Sequence, residues 1–103
     1  MNKAENYLEL KEHFERDLDV VVNSGKGAQG IKYNNKMFIM FNKGDLLIKL
    51  SPERIKELID EGIGEAYDPG TGKVMKDRIS IPFSRKDLWL SLCEESKKYV
   101  MKK

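Results

Sequence analysis

The sequence predicts an α+β fold of two layers, with helices packed on one face of a mostly antiparallel sheet. Three observations lead there. Apolar residues recur at three- and four-residue spacing near both ends of the chain. Between them lie short β-branched or aromatic runs punctuated by Asn and Gly turns. One further helical stretch interrupts those runs, so strands and helices do not alternate as they would in a doubly wound fold. The expected order is α-βββ-α-ββ-α, with a five-stranded sheet in a single domain over residues 1–103.

The first helix is expected over residues 2–18, where Ala4, Tyr7, Leu8, Phe14 and Leu18 form one stripe. Residues 19–23 are β-branched and too brief for a helix. Three strands follow at about 27–33, 36–41 and 45–50. They are joined by turns at Tyr33-Asn34-Asn35-Lys36 and Asn42-Lys43-Gly44-Asp45, because Asn and Gly accept left-handed backbone. Ser51-Pro52-Glu53 starts a second helix with a capping hydroxyl, a proline suited to the first turn and an acid facing the dipole. Ile55, Leu58 and Ile59 are its buried stripe, and Gly62 its stop. Short strands are expected at 64–67 and 74–82, around the turn chemistry of Asp68-Pro69-Gly70-Thr71-Gly72. Ser84-Arg85-Lys86-Asp87 resembles a capping box. It opens a last helix, about 85–101, that buries Leu88, Trp89, Leu92, Cys93, Tyr99 and Val100.

Composition narrows the function classes. Apolar content is 40% and charged content 35%, with a net charge of +2. A dedicated DNA-binding domain is usually far more basic. The charge is uneven: residues 1–19 carry three bases against six acids, and residues 70–86 five bases against one acid. No run approaches the ~20 apolar residues of a membrane span. The acidic, amphipathic start is the opposite of a targeting peptide. The single Cys93 allows no intramolecular disulfide, and a cytoplasmic location is expected.

Two glycine patterns invite a phosphate-binding reading. Gly25-x-Gly27-x-x-Gly30 follows the run Val20-Val21-Val22, as a dinucleotide fingerprint would follow a strand. That fingerprint works only where the loop opens a crossover helix, and IKYNNKMFIMF is a turn followed by a strand. Asp45 has the spacing of a ribose-binding acid but falls in a hairpin turn. Gly70-Thr71-Gly72-Lys73 lacks the upstream glycine and the following Ser or Thr of a phosphate loop. Glycine-shaped turns explain both, and no cofactor is expected. His13, the single histidine, has no second ligand or nucleophile to work with. Cys93 lies one turn from Trp89 and reads as packing. No catalytic or metal set emerges.

The sheet offers a stronger lead. With helices on one face, Phe38, Met40, Leu47 and Lys49 fall on the other, and an apolar open face marks a partner surface for a protein or a second copy. The alternative is weak nucleic-acid binding through Lys49, Lys73, Lys76 and Arg78.

Residues 19–100 resemble the N-terminal domain of the TfoX (Sxy) competence regulators. The residues that carry the resemblance are Gly30-Ile31, Lys36-Met37-Phe38, Leu47-Ile48-Lys49-Leu50 and Gly72-Lys73-Val74-Met75-Lys76. The closing LWLSLCEESKKYV is similar to the end of YjbR-type proteins. Where the family commonly has MFGG, this chain reads GKGAQG, with Gly30 in correspondence. The resemblance implies a two-layer fold akin to type III secretion chaperones. It also implies a non-enzymatic, prokaryotic, regulatory or accessory role without catalytic residues.

Overall fold

The computed structural model describes residues 7–23, 29–42, 44–68, 70, 72 and 74–102. Three helices, α1 (Leu8–Glu15), α2 (Pro52–Asp60) and α3 (Trp89–Met101), pack on one face of an antiparallel sheet. The strands are β1 (Val20–Asn23), β2 (Gly30–Tyr33), β3 (Lys36–Asn42), β4 (Asp45–Lys49), β5 (Glu65–Tyr67) and β6 (Met75–Ile81). Their spatial order is β1-β2-β3-β4-β6-β5. The α+β class and the helix-strand order agree with the sequence reading, with one strand more than expected. That strand is β1, which pairs with β2 from Val20 opposite Tyr33 to Asn23 opposite Gly30. Four residues form a strand here because β2 supplies a template, which local pattern does not reveal.

The core lies between sheet and helices. Ile31, Ile39, Leu46, Ile48, Ile79 and Ile81 come from the sheet, and Leu10, Phe14, Leu58, Trp89, Leu92 and Cys93 from the helices. An aromatic stack sits at one end: the Tyr7 ring lies 4.3 Å from Phe41 and 5.6 Å from Trp89. The Tyr7 hydroxyl donates to the Asp45 carbonyl at 2.7 Å, so the ring is buried without stranding its polar atom.

Several element boundaries are corrected. The first helix ends at Glu15 rather than residue 18, and its buried stripe is Tyr7, Leu10 and Phe14. Leu18 is 100% exposed, because the Asp17 carboxylate accepts from the Asp19 amide and turns the chain into β1. In α2, Ser51 caps Arg54 as expected, at 3.3 Å, and Gly62 closes the helix at φ +73°. Ile59 is 37% exposed, however, and leaves the buried stripe to Ile55 and Leu58. No capping box starts α3. Residues Phe83–Leu88 wind as a 3-10 segment after Pro82, and the Phe83 amide donates to the Asp45 carboxylate at 3.0 Å.

The correction that matters for function is in β3. Ile39 pairs with Ile31, but Met37 pairs with Lys32, so Phe38 is an extra residue in a bulge. Phe38 and Ile39 therefore both face the helices. Phe38 is fully buried, with its ring edge-on to Phe14 at 6.2 Å. Phe38 is not on the open face, and Met37 takes its place there, opposite Lys32. Gly30 permits the close approach at this bulge: a Cβ there would stand 2.1 Å from the Ile39 carbonyl oxygen. That is the reason for a glycine at position 30. Gly25 and Gly27 lie outside the described residues.

Candidate functional site

The face of the sheet away from the helices follows from register, since directly paired residues share a face. One row across it holds Gly30, Met40, Leu47, Ser80 and Glu65. Beside it lie Val21, Lys32 and Met37 on one side and the Lys49–Arg78 pair on the other. Val21, at 65% exposure, shows that among the described residues no helix covers this face at its β1 end. Met37, Met40, Lys32, Lys49 and Arg78 are half-buried. Leu47 is 2% exposed and lies outside the helix-side core, so it underlies this surface rather than presenting a side chain to a partner.

Of the four residues expected at a partner surface, then, Met40 and Lys49 remain half-buried on one face, Leu47 is fully buried on that same face and Phe38 is on the other side. Sequence alternation missed Lys32 and Met37. Of the four cations proposed for nucleic acid, Lys49 and Arg78 stand opposite each other across β4 and β6. Lys76 instead borders α2, and Lys73 lies outside the described residues. The main chain of Lys49 is anchored from the helix side, where the buried Ser96 hydroxyl donates to its carbonyl at 2.5 Å.

Two depressions flank these elements. A cleft of about 210 Å³ between α2 and β5 is lined by apolar groups, among them Ile55, Ile59, Ala66 and Val74, with Lys56 and Lys76 alongside. A second, of about 320 Å³, lies near the end of α3 between Lys36, Lys49, Asp77 and Tyr99. The cleft beside α2 is held open at the sheet by Ala66, which pairs with the core residue Ile79 but carries only a methyl group. Gly64 brings this edge close: a Cβ there would meet Ile79 at 2.7 Å.

The groups with displaced proton affinity belong to the scaffold. Asp17 is held below the usual carboxylate range by its hydrogen bond from Lys97, and Lys97 is raised by the same bond. Arg54 joins α2 to α3 through Glu95 at 2.8 Å. Burial pushes the Cys93 thiol well above its ordinary value, which keeps it protonated and unreactive. His13 Nε2 lies 2.6 Å from Glu94 on the surface, tying α1 to α3. Among the described residues no three His, Cys, Asp or Glu side chains are grouped to hold a metal ion, and no helix is long and apolar enough to cross a membrane.

The glycine motifs resolve as turns where they are described. Gly70 and Gly72 have φ of +99° and +82°, and the Gly70 amide donates to the Asp68 carboxylate at 2.8 Å. Thr71 and Lys73 lie outside the described residues. Asp45 holds the Tyr7 hydroxyl and the Phe83 amide, which gives it a structural task. In comparisons with protein-family models, curated proteins and solved structures, nothing matches the chain.

Proposed function

We propose that this protein is a non-enzymatic cytoplasmic binding module with a regulatory or accessory role, the kind of role that the resemblance to TfoX N-terminal domains implies. It works through protein contacts made by the open face of the sheet. The observation that carries this reading is the one-sided packing: all three helices lie on one face, and Met37 and Met40 stand on the other among Lys32, Lys49 and Arg78. Methionines supply adaptable apolar contact, and the surrounding cations set the partner's charge and register.

The test uses the chain as bait in extracts of its native host, with and without nuclease, beside a Met40→Lys/Lys49→Glu variant. A partner retained by the wild type, resistant to nuclease and lost from the variant is the expected result. Equal retention by the variant overturns the reading. Loss on nuclease treatment favours the second reading, weak nucleic-acid binding, which the Lys49–Arg78 pairing supports because two cations there share one face.

A further inference from the structure

We propose that the cleft between α2 and β5 docks an extended peptide that carries one large apolar side chain next to an acidic residue. The cleft is separate from the open face, so this inference stands or falls independently of the reading above.

Four observations carry it. The lining is apolar, with Ile59 37% and Val74 54% exposed around the buried Ile55. Its volume of about 210 Å³ is below that of ordinary small-molecule pockets, which run from about 300 Å³ upward, and it suits a single anchoring side chain. Two exposed lysines border the cleft, and among the described residues neither Lys56 nor Lys76 has an ion pair, whereas Arg54, Lys86 and Lys97 do. A ligand with a carboxylate beside its apolar anchor complements that arrangement, and a basic one is repelled. Finally, β5 is the last strand in the sheet order, so an extended chain can pair along its outer edge. A side chain delivered from there onto the helix side meets the space that Ala66 leaves open.

The probe is a phage-displayed library of random peptides of about twelve residues, selected on the immobilised chain. Lys56→Glu/Lys76→Glu and Ala66→Leu serve as counter-screens; all three positions are exposed, and thermal melts confirm that the variants fold. Enriched sequences are expected to place Asp or Glu beside Leu, Phe or Trp. They should bind wild type at least about tenfold more tightly than the double lysine variant. A synthetic copy should shift the amide signals of Ile59, Ala66 and Lys76. Three results overturn the proposal: no enrichment over uncoated support, undiminished binding to the lysine variant, or shifts confined to Met40, Lys49 and Arg78.

Discussion

A methyl group at position 30 would collide with a backbone oxygen, 2.1 Å away, rather than with a side chain that could swing aside. Gly30→Ala is therefore expected to push β2 from β3 at the bulge and to cost about 2–3 kcal/mol in urea unfolding, the upper part of the range of about 1–3 kcal/mol seen for forced overpacking. Gly62 offers a contrast. Its φ is +73° and no atom lies within 4 Å of an added Cβ, so only backbone strain opposes alanine there. Gly62→Ala should cost about 1 kcal/mol. If the two variants lose the same stability, the close approach at Gly30 is not what fixes the bulge. Ser96 acts at the same place from the other side: its hydroxyl lies 3.3 Å from the Phe38 carbonyl and 2.5 Å from that of Lys49. Its one proton goes to the nearer carbonyl, so a single buried serine ties β4 to α3 directly beside the bulge. Nothing in an amphipathic pattern distinguishes such a serine from a surface one.

At the scale of elements, α1 is tied to α3 by ion pairs as well as by the core. Lys97 of α3 holds Asp17 just past the end of α1, and the two side chains are 14% and 22% exposed. Because the Asp17 carboxyl is depressed in the folded protein, its contribution is complete above the ordinary carboxylate range and is lost as pH falls through the folded value. Asp17→Asn keeps an acceptor for the Asp19 amide but removes both the charge and the second oxygen that accepts from Lys97. It should cost about 1–2 kcal/mol near neutral pH, and that difference should shrink at acid pH, below the ordinary carboxylate range, as Asp17 of the folded protein takes up its proton. Urea melts at both pH values check this; a difference independent of pH sinks the charge explanation. The elements differ in how far the sequence reveals them. Helix α2 was legible because Ser51, Pro52 and Gly62 act locally and each did what its chemistry dictates. The bulge was not, because KMFIMF is apolar at every position but its first, and alternation cannot choose a register there. That one ambiguity exchanged Phe38 with Met37 and altered the expected surface.

Across the whole molecule, three helices on one face leave charge on the other, and the arrangement of that charge separates the two readings of function. Sequence alternation placed Lys49 on the open face, but its pairing with Arg78 depends on β4 and β6, distant in sequence, being sheet neighbours. The cleft beside α2 was not within reach of sequence, because the register shifts just after the Ala66–Ile79 pair, between Ala66 and Tyr67, and alternation does not reveal which β6 residues border it. Lys32, Lys49 and Arg78 share the open face, whereas Lys76 borders the cleft. If nucleic acid binds the open face, about three phosphates are neutralised, and the logarithmic salt slope should be about −2.7. Affinity for a mixed-sequence duplex would then fall about 40-fold between 50 and 200 mM salt, a slope of that size acting over a fourfold change. Lys49→Glu/Arg78→Glu should abolish that binding, and Lys76→Glu should leave it within about twofold. If protein contacts are the function, the duplex shows no such binding at low salt, and the first variant weakens the partner while the second does not. A steep slope that Lys76→Glu reduces as much as Lys49→Glu/Arg78→Glu would mean that charge over the whole surface acts, not this face, and neither reading of the sheet would survive it.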